Sequence, residues 1–376
     1  MKAARFHAKR DVRVEDIAEP PAPGPREVVI RNAFCGICGT DLHEYAAGPI
    51  FIPTTPHPYT GAKLPQVLGH EYGGTVVAIG GEVRNVKVGD RVSVQPMVSP
   101  RDDYFGTRGL YQLSESLAII GLGWQWGGMA EYSLVNDYNV FAIPDFVSDE
   151  QAALVEPTAV TVYAAERGGV RPGSSVLVTG AGPIGQLQML AARAAGATQI
   201  FLSDTNDNRL AMARAILPDV ITLNPKRDAV ADAIRDQTEG HVGVDVALEC
   251  VGAEAALATG IDAVRRQGVV VQVGLHVGKP AVDAFTVTFK DIDVRGSWCY
   301  STLMWPKVAA LIGKGLLPAE KVVTRRIRID EVVEKGFEAL LDPAGQELKI
   351  LIDLRQAASL PRSTARVTFP AVPRET

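Results

Sequence analysis

Val176-Leu177-Val178-Thr179-Gly180-Ala181-Gly182-Pro183-Ile184-Gly185, residues 176–185, is the stretch that decides the fold. A short apolar run ends in a glycine-rich turn, GAGPIG, and a helical pattern continues from it to Ala195. Gly180 permits the tight turn, Gly182 lets a pyrophosphate approach the backbone, and Gly185 lets helix and strand pack closely. Pro183 suits the first helical turn, where its missing N–H costs nothing. The unpaired N–H groups and the positive dipole end then face the phosphates. A lone GxGxxG is a weak signal, so its surroundings must decide.

Downstream the rhythm repeats. IFLSD (200–204), NRLAMARAIL (208–217), VITLN (220–224), AVADAIRDQ (229–237), VDVALECVG (244–252), EAALATGIDAVRR (254–266) and VVVQVGL (269–275) alternate strand and helix patterns. This predicts βαβ units on a parallel sheet with both faces covered, a doubly wound α/β Rossmann domain over residues 157–298. Asp204 ends the second strand, about 20 residues past Gly185. There its carboxylate either caps the next helix or accepts from both ribose hydroxyls, and the spacing favours the ribose. A 2′-phosphate would meet like charge, so NAD is expected over NADP. Arg209 joins this set, and turned inward it would pair with a 2′-phosphate. With Ile184, Val251 and Val273 complete the expected cofactor-binding residues.

Residues 1–156 are instead β-rich. EVVIRNAF (27–34), GGTVVAIG (73–80) and DRVSVQP (90–96) are short Val- and Ile-rich runs between Gly and Pro. The proline-interrupted tract 48–65 is read as an extended loop. Residues 299–376, with a helix around 306–316 and a strand KILIDL (349–354), are returned to this first domain. The tail from Arg355 to Thr376 is expected to be irregular. Lys and Arg total 38 against 43 Asp and Glu, a net charge of −5, which speaks against a nucleic-acid or anionic-membrane partner. Four cysteines are too few for a secreted framework. With no signal-peptide pattern and no run of ~20 apolar residues, the expectation is a cytoplasmic enzyme.

FCGICGTDLHEY (34–45) sets Cys35 and Cys38 three apart, a spacing that fits half a zinc ribbon or a redox pair. No second CxxC exists, which excludes a four-cysteine site. His70 and Glu71 follow in GHE (69–71), and Glu156 lies far downstream in LVEP (154–157). A catalytic zinc needs three protein ligands and an open fourth position. One thiolate, one neutral imidazole and one carboxylate would cancel its charge.

CGICGTDLH, GHEYGG, VGDRV (88–92), EPTAV (156–160) and GAGPIG occur here in one order. In this the chain resembles the zinc-dependent medium-chain alcohol and polyol dehydrogenases over nearly its whole length. Residues 48–71 are similar to the loop of the 2,3-butanediol dehydrogenase branch, close to the sorbitol dehydrogenases. The resemblance implies a Rossmann domain inserted in a β-rich, GroES-like catalytic domain. It implies zinc ligands at Cys38 and His70, with Glu156 as the third. Glu71 is then a neighbour able to bind directly or through water. Cys35 is read as a small buried hydrophobe. Thr40 and His43 would pass the substrate proton through the ribose hydroxyl to solvent, a task that suits an imidazole titrating near neutrality.

The implied reaction is reversible, NAD-linked oxidation of a vicinal diol or secondary alcohol. Sugar-alcohol oxidation is the alternative, and a non-catalytic nucleotide-binding protein is less favoured. A homodimer or homotetramer is implied, through strands near Arg295–Tyr300. Related enzymes carry a second, structural zinc on a four-cysteine lobe. The matching positions here are Pro100, Asp103, Gly106 and Ser114, which offer no thiolate. One catalytic zinc and no structural zinc are therefore expected, with Tyr104, Phe105, Leu110 and Tyr111 packing the lobe. Trp126 and Trp298 are candidates to line the pocket.

Overall fold

In the computed structural model the described residues are 1–342 and 344–355. The tail assigned as irregular lies outside them after Arg355. Strands Ser175–Thr179, Gln199–Ser203, Ile221–Leu223, Val244–Glu249, Val264–Gln272 and Asp293–Gly296 form a parallel sheet. Numbered along the chain within this sheet, their spatial order is 3-2-1-4-5-6, so the order of strand addition reverses between the first and fourth strands. The carboxyl ends of those two strands flank the crevice where such sheets bind ligands. One expectation shifts. The helix read over 254–266 stops at Ala263, and Val264–Arg266 enter the fifth strand, where Val264 pairs with Val244.

The second sheet runs Val140–Ala142, Arg91–Val94, Glu71–Ile79, Glu27–Gly36, Lys349–Asp353, Val323–Arg328, with Tyr132–Asn136 also pairing Glu27–Gly36. Lys349–Asp353 lies antiparallel to Glu27–Gly36 and parallel to Val323–Arg328, so residues beyond the dinucleotide half return to the first sheet. The 48–65 tract contains neither helix nor strand.

Helix α1 (Gly39–Ala47) follows the Glu27–Gly36 strand directly. Helix α2 (Asp149–Gly168) starts on a Ser148 cap that accepts from the Gln151 N–H, with Gln151 reaching back, and ends at Gly169 in the left-handed region. The expected junction at 156/157 falls inside α2, so the two sheets share one continuous helix there. One hydrophobic cluster accordingly reaches from Phe34 and Leu351 through Leu154 and Val155 to Val176 and Leu248. Helix α3 (Pro183–Ala194) carries the glycine-rich turn at its start. No helix among the described residues is long and apolar enough to cross a membrane.

Candidate active site and metal centre

The metal end is built on two strand ends and two helices. Cys38 caps α1: its N–H donates to Asp41 Oδ2 at 2.9 Å, where Ser, Thr or Asp more often stands. Asp41, fully buried, turns its other oxygen to His70 Nδ1 at 3.7 Å. That leaves Nε2 of His70 for the cavity. His70 precedes the Glu71–Ile79 strand, and Glu71 opens it. Ligand atoms of Cys38, His70 and Glu71 all lie within 4.8 Å of one another.

The group brought together thus differs from the expected Cys38, His70 and Glu156. Glu156 sits midway along α2 and lines the same cavity, but outside this tight trio. Its Oε1 accepts from the Tyr300 hydroxyl at 2.8 Å. Glu71 is paired with the fully buried Lys349, whose ammonium also donates to the Ile37 carbonyl at 2.9 Å. The reason for the difference is local: Glu71 is the neighbour of His70 on one backbone, whereas Glu156 approaches from another element.

A divalent cation fits this set. Glu71 Oε1 is buried with neither a hydrogen bond nor an ion pair, although buried polar atoms are normally bonded, and Glu71 belongs to the converging trio. Burial pushes the Glu156 carboxyl up to about 7, reinforced by Glu71 and opposed by His70, Tyr300 and Lys349. For His70 burial disfavours the charged ring, but Asp41, Cys38 and Glu156 outweigh it and hold its pKa well above the ordinary value. The cluster is short of positive charge, which a bound 2+ ion would supply.

Thr40 and His43, on α1, both face the cavity; Cys38 Sγ lies 3.8 Å from Thr40 Oγ1, and His43 is exposed. Cys35 is fully buried on its strand, with its thiol pushed well up by burial. Trp298 lines the cavity, whereas Trp126 does not.

At the other end of the same ≈ 450 Å³ cavity stand Gly182, Pro183, Ile184, Arg209, Val251 and Val273. Gly180, Gly185 and Asp204 lie behind them and shape the turn. Gly180 has φ +92°, and a Cβ on Gly185 would come within 1.7 Å of the Gly180 carbonyl. Asp204 accepts from the Ala181 N–H at 2.7 Å and from the Asn206 N–H at 2.8 Å. Each oxygen keeps a lone pair for a ligand hydroxyl. The Gln186 N–H bonds back to Gly182, so the Ile184 and Gly185 N–H groups are the first-turn donors left for phosphate.

The lobe at 100–114 is held only in part by the expected residues: Phe105 and Tyr111 are half-buried, with the Phe105 ring 5.1 Å from that of Tyr104. Tyr104 is 66% exposed and Leu110 is also exposed. Instead Asp103 accepts from the Ser114 hydroxyl and the Gly106 N–H, each at 2.5 Å. The Arg101 guanidinium lies 3.8 Å from the centroids of both Tyr111 and Tyr138. Three of the four positions matching zinc cysteines are therefore joined by hydrogen bonds.

Sequence reasoning missed Asp41, Lys349 and Tyr300. Only Asp41 left a trace, an acid three residues after the cap.

Two family models match: residues 24–145 fit the alcohol dehydrogenase GroES-like domain, and residues 183–314 fit the zinc-binding dehydrogenases. The (R,R)-butanediol dehydrogenase of Bacillus subtilis is 39% identical over 353 residues, 94% of this chain and 99% of that protein. The crystal structure of the 2R,3R-butanediol dehydrogenase from Bacillus subtilis superposes with a TM-score of 0.87 at 38% identity, covering 94% of this chain and 99% of that one. Human sorbitol dehydrogenase is 34% identical over 351 residues, 92% of this chain and 94% of that protein. A zinc-binding dehydrogenase from Sinorhizobium meliloti, solved with NADP, is 30% identical with a TM-score of 0.83, covering 94% and 98%.

Proposed function

Because this chain belongs to the zinc-binding medium-chain alcohol dehydrogenases, we propose that it catalyses reversible oxidation of a vicinal diol of the butane-2,3-diol and acetoin type. It is an oxidoreductase that works with zinc and NAD. The observation that carries the diol reading is the wall of the cavity joining the metal end to the dinucleotide end. Phe51, Leu117, Ile119, Leu122 and Trp298 make it apolar. A six-carbon polyol would leave several hydroxyls without partners against such a wall, whereas a short diol leaves methyl groups there.

In this reading Cys38, His70 and Glu71 hold the metal, with Glu156 beside it. Bound there, zinc supplies the Lewis acidity that lowers the hydroxyl pKa, and the dinucleotide supplies the hydride acceptor. Asp41 fixes the His70 ring, and Lys349 and Tyr300 hold the two glutamates from behind. The Thr40 hydroxyl, 3.8 Å from the Cys38 sulfur, would take the substrate proton, and with a ribose hydroxyl between them the exposed His43 imidazole would deliver it to solvent. The α3 N–H groups seat the pyrophosphate, and the Asp204 carboxylate takes the ribose hydroxyls and disfavours a 2′-phosphate.

We assign residues 1–156 and 299–376 to the catalytic domain and 157–298 to the dinucleotide domain. One zinc and no structural ion per chain accord with the hydrogen-bonded lobe. A homodimer or homotetramer is supported by the Asp293–Gly296 edge strand, beside which Phe285 and Phe289 stand exposed. All four cysteines are free, in keeping with the reducing cytoplasm. The test is metal analysis together with NAD reduction over butane-2,3-diol, sorbitol, threonine and ethanol. One zinc per chain and the highest kcat/KM for the diol are expected. A preference for sorbitol would replace the diol reading, and turnover surviving complete removal of metal would end it.

A further inference from the structure

Glu44 is a fully buried carboxylate that plays no part in the chemistry above. It lies on α1, one residue past His43. Buried acids persist where donors satisfy them, and here the donors are three consecutive main-chain N–H groups of the 48–65 tract. Ile50 donates to Oε2 at 2.9 Å, Phe51 to Oε1 at 2.5 Å and Ile52 to Oε1 at 3.3 Å. Such charge-assisted bonds are stronger than neutral ones. Phe51, held between its two neighbours, lines the cavity at its solvent-open rim, where it is 45% exposed.

The far end of the tract is tied as well. The Thr60 hydroxyl donates to the Gly123 carbonyl at 2.6 Å, and His57 Nδ1 accepts from the Tyr59 and Thr60 N–H groups at 3.3 Å each. Between these ties no helix or strand fixes the backbone. Glu44 thus holds the backbone on both sides of Phe51, alongside the buried Ile52 side chain, and it belongs to the same helix as Cys38, Thr40 and His43. Metal ligand and proton path sit on α1, and the cavity wall is tied to that helix through Glu44.

We propose that Glu44 is a positioning residue for substrate length: by holding the Ile50–Ile52 backbone it makes Phe51 the wall that limits the chain flanking the reacting carbon. The inference rests on the alcohol-oxidising site described above and deepens the diol reading.

The test is steady-state kinetics on two homologous series, 2,3-diols and 2-alkanols, each from four to eight carbons, with the zinc-loaded enzyme and NAD. Phe51→Ala raises kcat/KM for eight-carbon relative to four-carbon substrate by about tenfold or more, since each methylene accommodated in an apolar pocket is worth roughly 10–200-fold. Glu44→Ala moves the ratio the same way, and the double variant moves it no further than Phe51→Ala does. Glu44→Gln keeps an acceptor for Phe51 and Ile52 and restores most of the wild-type ratio. Zinc content and the KM for NAD stay at wild-type values throughout. An unchanged length profile in Phe51→Ala overturns the proposal. So does a Glu44→Ala enzyme whose kcat falls equally along each series with its ratios intact, the mark of a merely structural acid. If Glu44→Ala does not fold, Phe51→Ala and Glu44→Gln decide. A wild-type enzyme inert to all diols but active on alkanols would sink the diol reading alone, and the wall is then read on the alkanols.

Discussion

At the metal end of the cleft every candidate ligand atom belongs to a side chain, whereas at the dinucleotide end the phosphate donors belong to the backbone. The first set concentrates charge: Asp41, Glu71, Glu156 and Lys349 are all buried within a few residues' reach of Cys38 and His70. The second set is nearly neutral, and its geometry comes from a left-handed Gly180 and the close pass of Gly185. The difference teaches where a fold tolerates change. Backbone donors survive most substitutions so long as the turn forms, while a buried ion cluster fails when one member is removed, because the others lose their counter-charge.

The sharpest way to separate the two ends is Cys38→Ser. Bound zinc is lost and kcat falls by about 10²–10³-fold or more, while the dissociation constant for NAD, read by fluorescence titration, stays within about threefold. A parallel collapse of NAD binding would show that the ends are not independent. Next comes Glu71→Gln, which leaves Lys349 buried without its partner and costs about 3–5 kcal/mol of folding stability. Adding Lys349→Met recovers much of the thermal midpoint but not the zinc. Glu156→Gln, by contrast, weakens zinc only about tenfold, the scale of a supporting residue. Should it release zinc as readily as Cys38→Ser, Glu156 is the third ligand after all. The smallest effect is at the other end. Asp204→Ala raises the NAD dissociation constant roughly tenfold and relaxes rejection of NADP, measured as the ratio of their kcat/KM values. An unchanged ratio would remove Asp204 from the ribose site.

The same contrast governs what the sequence discloses. The dinucleotide half was legible because alternation and glycine spacing are periodic signals, and GAGPIG appears at the start of α3 as read. Its slip at Val264–Arg266 arose where a helical pattern met a strand partner at Val244, and pairing overrode local preference. In the metal half the motifs gave Cys38, His70 and two acids but not their arrangement. Lys349 sits in KILIDL, an apolar strand in which nothing announces a buried ammonium. Glu44 drew no reading from its sequence, because its donors are main-chain N–H groups of the 48–65 tract, which carry no side-chain signature. The lobe misled for a similar reason. Tyr104 and Leu110 look like core residues, but the polar Asp103 and Ser114 hold the segment while they face water.

That lobe has a chemical corollary. A cluster of four thiolates is a standing target for peroxide, and oxidising any one of them would release its ion and loosen the segment. An aspartate bonded to a serine hydroxyl offers nothing to oxidise. The burial-raised thiols of Cys35, Cys250 and Cys299 are poor nucleophiles as well, so among the thiols the vulnerability of this enzyme to oxidants narrows to the one that caps α1, and mild peroxide should silence turnover while leaving the scaffold intact.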